Sequence, residues 1–163
     1  MKKFSVLELY QLYQERPETF APILRNVNSS EVNGLIAECR SVNGLIEGCN
    51  IEGHMPWDDI YEEAAHLIDE FEDAISFFGC FRKIDMGGYM YADQIVTNLE
   101  LAKLELKDSC QVFRNGIYAL KSKVGRSAAS EDDVEAQYRE LSTPLNDCIK
   151  GVIAKLEELD KAI

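Results

Sequence analysis

Apolar residues recur along this chain at the three- and four-residue intervals of helices that bury one side. The first such stretch opens with Ser5-Val6-Leu7-Glu8, which has the form of a capping box. Phe4 and Leu9 are placed to staple the entry turn, so a helix is expected from near Val6, and Pro17 ends it. A second short helix is expected over residues 18–25, confined by Pro17 and Pro22, while the polar run at 26–30 has the composition of a loop.

Between residues 31 and 48, Val32, Leu35, Ile36, Cys39, Val42, Asn43 and Ile46 fall on one side of a 3.6-residue repeat, which favours a helix. The pentapeptide Val-Asn-Gly-Leu-Ile occurs twice here, at 32–36 and 42–46, and Asn-Gly is the strongest local hairpin signal, so a β-hairpin stands as the alternative. A ten-residue step rotates a helix by about 280°, which sets the two copies on different faces and marks a local duplication, not a solenoid unit.

Gly53 places a loop over 50–55, and Pro56 suits the first position of a helix over 57–80. Its inward face carries Trp57, Ile60, Tyr61, Ala64, Leu67, Ile68, Phe71, Ile75 and Phe78, within about 120° of arc. A third stripe runs from Ala92 through Leu99, Leu106 and Phe113 to Val124, predicting a helix over 91–124 that is about 50 Å long. Small residues at 125–130 make a turn, with Ser130 as N-cap. The last helix is expected over 131–162, and because the apolar phase is the same on both sides of Pro144, it is one helix kinked there and not two. These elements predict an all-α, antiparallel up-and-down bundle of about four main helices in a single domain, with two short N-terminal helices (1–30) capping one end.

Charge narrows the partners. The chain has 163 residues and a formal net charge of −12, which opposes attraction to nucleic acid backbones and to anionic lipid headgroups. No segment approaches the ~18 consecutive apolar residues of a membrane span, and the N-terminus lacks the features of a secretory signal. The five cysteines are odd in number and form no C-x-x-C pair, so reduced thiols and a cytoplasmic location are expected, with no cofactor. There is no P-loop, no G-x-G-x-x-G and no G-x-S-x-G elbow.

The charge is also uneven. Residues 57–73 hold eight acids and no Lys or Arg, whereas residues 89–126 hold six bases against four acids. Asp59, Glu62, Glu63, His66, Asp69, Glu70 and Asp73 project together opposite the apolar stripe of their helix, forming a ridge that is either a solvated face or a surface that docks a basic protein. Glu63-Ala64-Ala65-His66 has the E-x-x-H form of carboxylate-bridged metal bundles, which makes Glu63 and His66 the metal ligands of an alternative, enzymatic reading. That motif occurs once, and His66 projects about 180° from Trp57, away from a bundle centre.

Phe77, Phe81, Tyr89 and Tyr91 form an aromatic cluster suited either to an interface or to packing on the N-terminal helices. Leu101, Leu104 and Val112 make a weaker apolar strip on the outer side of the longest helix, able to seat a neighbouring helix or a second copy in a homodimer. The sequence thus favours a non-enzymatic protein-binding module, comparable in charge and size with acidic inhibitors and immunity-type proteins. Behind it stand a metal-dependent bundle enzyme and a self-associating structural subunit.

Overall fold

A computed structural model describes residues 5–48, 57–79, 92–125 and 131–163, which are arranged as five helices. These are α1 (Val6–Glu15), α2 (Pro17–Glu47), α3 (Trp57–Gly79), α4 (Ala92–Gly125) and α5 (Glu131–Ala162), and no strand occurs among the described residues. The protein is an all-α helical bundle. The expected loops and turns at 50–55 and 126–130, the Phe4 staple, the Ser130 cap, the Trp57 side chain, and Phe81, Tyr89 and Tyr91 lie outside what is described.

Bundle neighbours follow chain order and close a ring, α2 on α3, α3 on α4, α4 on α5 and α5 back on α2, with α1 against α2. Cross-helix pairs give the directions. Along α2, Ser29, Arg40 and Glu47 meet Asp160, Glu157 and Lys150 of α5, so numbers rise on one helix as they fall on the other. Glu72 with Lys103, and Tyr61 with Arg114, do the same for α3 and α4. Glu105 with Lys155, and Gly116 with Leu141, do so for α4 and α5.

The first break in the chain has a local cause. Ser5 caps α1 with its hydroxyl accepting from the Glu8 amide at 3.1 Å, and Glu8 accepts from the Ser5 amide at 2.9 Å, completing the capping box. Arg16 precedes Pro17, whose ring disfavours the α conformation in the residue before it, and Arg16 sits at φ −138°, ψ 73°. It ends α1, and Pro17 begins α2 at a position where no N–H is needed.

Two expectations fail in α2. The helix does not stop at residue 25, and the run at 26–30 is helical, not a loop. Pro22 lies near the α2 N-terminus on an exposed face, where losing one hydrogen bond to the Glu18 carbonyl does not end the helix. The polar side chains that weaken a helix in isolation here find tertiary partners. Asn28 is buried and accepts from the Tyr10 hydroxyl at 3.1 Å, Ser29 donates to Asp160, and Asn33 donates to Asp160 Oδ2 at 3.4 Å as well as to the Ser29 carbonyl one turn back. Residues 31–47 are likewise helical, so the hairpin alternative falls. The duplicated pentapeptides do not separate cleanly onto different faces. Both valines and both isoleucines are buried, because α3 and α5 flank α2 and widen its buried arc, while Asn33 is exposed and Asn43 is not.

α5 runs unbroken through Pro144. The Pro144 side is exposed, and the hydroxyl of Thr143 donates to the Arg139 carbonyl at 2.7 Å, supplying a bond beside the one the proline removes.

The main core lies between the four long helices and includes Val32, Cys39, Ile60, Phe71, Phe78, Leu99, Phe113, Ile149 and Val152. Each buried residue predicted for α3 and described is at least half-buried, and Ala74 joins them. A second, smaller core of Leu9, Tyr10, Tyr13 and Leu24 ties α1 to the first turns of α2. Phe77 packs against both cores and links them. No helix among the described residues is long and apolar enough to cross a membrane.

Candidate docking surface

Ion pairs tie the bundle together along three seams: Arg40–Glu157 at 2.9 Å and Lys150–Glu47 at 2.9 Å join α2 to α5, Lys155–Glu105 at 2.7 Å joins α4 to α5, and Lys103–Glu72 at 3.1 Å joins α3 to α4. α3 contains no Lys or Arg, and Arg40 of α2 is turned toward α5. The carboxylates of the α2/α3 seam therefore face a surface to which α3 contributes no cation.

Two adjoining grooves run along this seam. One is lined by Ser41 and Leu45 of α2 with Asp59, Glu62 and Glu63 of α3. The other is lined by Glu31, Gly34, Leu35 and Glu38 of α2 with Glu70, Asp73, Ala74 and Phe77 of α3. The second groove has carboxylates on both walls and the first on its α3 wall alone, with apolar floor positions at the half-buried Leu45 in the first and at Leu35, Ala74 and the half-buried Phe77 in the second. A Cβ at Gly34 would meet nothing within 4 Å, so the second groove is open at that position.

All seven predicted ridge residues belong to α3. Asp59, Glu62, Glu63, His66, Asp69 and Asp73 are exposed, and Glu70 is half-buried. His66 Nε2 stands 3.5 Å from Glu70 one turn on, with over half of the imidazole exposed. The structure brings Asp59, Glu62, Glu63, Glu70 and Asp73 to the grooves and leaves Asp69 on the outer crest. Sequence reasoning missed Glu31 and Glu38. They lie seven residues apart on one face of α2, and that spacing, together with the chain-order adjacency of α2 and α3, was the available signal.

Glu63 and His66, the residues of the metal alternative, both stand on the solvent side. Among the described residues no group of three or more His, Cys, Asp and Glu side chains is arranged to hold a metal ion.

Phe77 is half-buried between the two cores and also floors a groove, so it serves packing and surface together. Leu101, Leu104 and Val112 are exposed on α4.

The described thiols are shielded. Cys39 and Cys110 are buried and free, and burial pushes their thiols up to about 12 and about 11. Burial also raises the half-buried Cys148, against a hydrogen bond with Ser109 that lowers it. Protonated thiols in a packed core are poor nucleophiles. No family model matches the chain, and no curated protein or solved structure matches it.

Proposed function

We propose that this chain is a non-enzymatic binding protein whose α2/α3 face recognises a basic surface on a partner protein. The observation that supports this is the pair of grooves just described, lined by Asp59, Glu62, Glu63, Glu70 and Asp73 of α3, joined in one of them by Glu31 and Glu38 of α2, beside apolar floor positions. A row of acids with no interleaved base disfavours the isolated helix, since carboxylates one turn apart repel by about 0.2–0.5 kcal/mol per pair. Solubility does not require that concentration on one helix, because without the eight acids of residues 57–73 the chain's net charge of −12 would still be −4, within the range of about 2–8 in magnitude that keeps a small domain soluble. A complementary partner would relieve the repulsion on binding and gain a long-range contribution to its association rate.

The mode of action is occlusion. A rigid acidic face that covers a basic functional surface blocks it without chemistry, as acidic inhibitors do. This comparison is one of charge and size. The test is capture of partners from an extract of the native host at low and high salt. It compares the wild-type chain with one carrying Glu62→Lys, Glu63→Lys and Glu70→Lys. A basic protein retained only by the wild type and only at low salt supports the proposal. A partner retained equally by the triple variant, with an association rate insensitive to salt, removes it.

A further inference from the structure

Along one side of α2, α1 takes over where α3 ends. Projection at 100° per residue puts Phe20, Leu24, Val27, Glu31, Glu38 and Leu45 within about 60° of arc on α2. The last three line the grooves beside α3, which runs antiparallel to α2 and ends at Gly79, just past the Phe77 that shares a groove with Glu31. The first three carry α1, whose Leu9, Tyr10 and Tyr13 cluster with Leu24 and pack against Phe20, Val27 and the same Phe77. α1 therefore covers the continuation of the grooved face toward the start of α2.

The junction permits α1 to swing. The described backbone hydrogen bonds at the break all end on Arg16: its amide donates to the Leu12 carbonyl at 2.8 Å, and its carbonyl accepts from the Thr19 and Phe20 amides, each at 3.2 Å. The amide belongs to the α1 ladder and the carbonyl to the α2 ladder. Rotation about φ and ψ of this one residue therefore moves one helix against the other and breaks neither. Pro17 disfavours a helical Arg16, so the two helices do not merge. From ψ 73°, a turn of roughly 50–90° reaches the range common before proline.

What holds α1 down is local. Its core is separate from the main one and is joined to it through Phe77, and among the described helices its backbone packs on α2 alone. At ten residues α1 is shorter than the ~12–15 that an isolated helix needs to persist in water, so release from α2 melts it as a whole.

We infer that α1 is a detachable strap that opens as one unit about Arg16 while α2–α5 stay folded, and that its opening lengthens the acid-lined face by an apolar extension of Phe20, Leu24, Val27 and one side of Phe77. The grooves span residues 31–45 of α2, about 21 Å, and the lengthened face spans residues 20–45, about 37 Å. Charge complementarity names the occupant as a cationic amphipathic helix, with lysines against the carboxylates and its apolar side on the groove floor and the extension. The extension rests on the recognition proposed for the α2/α3 face; the opening of α1 does not.

Native-state hydrogen exchange of the full chain in sub-denaturing urea reads the opening. The amides of residues 9–16 are expected to share one opening reaction, at least about a hundredfold more populated than the one exposing the amides around Ile149 and Val152 of α5, and less dependent on urea. Two helical lysine–leucine peptides, of about 14 and about 25 residues, read the extension. Tyr10→Phe leaves the buried Asn28 short of a donor only while α1 is docked, so it should tighten the longer peptide by about tenfold and the shorter by less than about twofold. Amides of α1 as well protected as the α5 core overturn the strap, as does protection graded residue by residue along α1. An equal response of the two peptides to Tyr10→Phe overturns the extension and leaves the recognition standing. Failure of both peptides to bind overturns the recognition and the extension with it, and the exchange rates still decide the strap.

Discussion

Replacing Gly116 by alanine tests the packing of α4 on α5. An ideal Cβ at this position would lie 2.1 Å from Leu141 Cδ2 and 3.1 Å from Leu141 Cγ, whereas apolar carbons rest at about 3.5–4.0 Å. Gly116 is inside α4, so alanine gains about 0.8–1.0 kcal/mol of helix propensity. Against this, Leu141 must leave its rotamer or push α5 outward, and overpacking of this kind costs about 1–3 kcal/mol. The net expectation is a loss of about 0–2 kcal/mol, or a fall of a few degrees in thermal midpoint for a chain of this size.

A double-mutant cycle followed by circular dichroism in urea separates the two terms. In a Leu141→Ala background the obstruction is gone, so Gly116→Ala should stabilise by roughly the full propensity gain. The sign of the same substitution therefore reverses between backgrounds. Equal stabilisation in both backgrounds would refute the packing of α4 on α5 described above.

Tyr10→Phe should cost about 1–2 kcal/mol by leaving the buried Asn28 Oδ1 without its donor, measured by urea unfolding; a neutral result would remove that bond from the anchoring of α1. Alkaline stability depends on Cys39. Its thiol is raised in the folded chain from the ordinary 9.0 to about 12, so the stabilising difference is complete below pH 9 and is lost as pH rises toward 12, at up to about 1.4 kcal/mol per pH unit. Cys39→Ala should flatten that part of the pH profile of unfolding. On the acidic crest, Asp69→Asn removes repulsion with Asp73 one turn away and should stabilise by about 0.2–0.5 kcal/mol at low salt, a gain that shrinks as salt is added. Destabilisation instead would mean that Asp69 has a cationic partner.

The helices were largely legible because their signals are local. Caps, prolines and the 3.6-residue apolar repeat placed α3, α4 and α5 to within a residue or two, and the unbroken apolar phase around Pro144 correctly foretold a single α5. The failures came where tertiary contacts outweighed local preference. Residues 26–30 look like a loop until Asn28 meets Tyr10 and Ser29 meets Asp160, partners 18 and 131 residues away. The same holds for the surface. Periodicity found the α3 half of the acidic face, but Glu31 and Glu38 join it only because α2 lies alongside. Phe77 was placed off the core stripe, and its contact with α1 and α2 depends on how the N-terminal hairpin folds back.

The proposed recognition rests on the acid-lined grooves between α2 and α3. Titration of the isotope-labelled full chain with a cationic amphipathic helical peptide of lysine and leucine, monitored by NMR amide shifts, examines it most directly, with an all-lysine peptide as the comparison. The predicted result is a set of shifts confined to the grooves, around residues 30–45 and 59–77, larger for the amphipathic peptide and lost on Glu62→Gln, Glu63→Gln and Glu70→Gln together. Shifts spread equally over the acids of α5, or no preference for the amphipathic peptide over all-lysine, would contradict it.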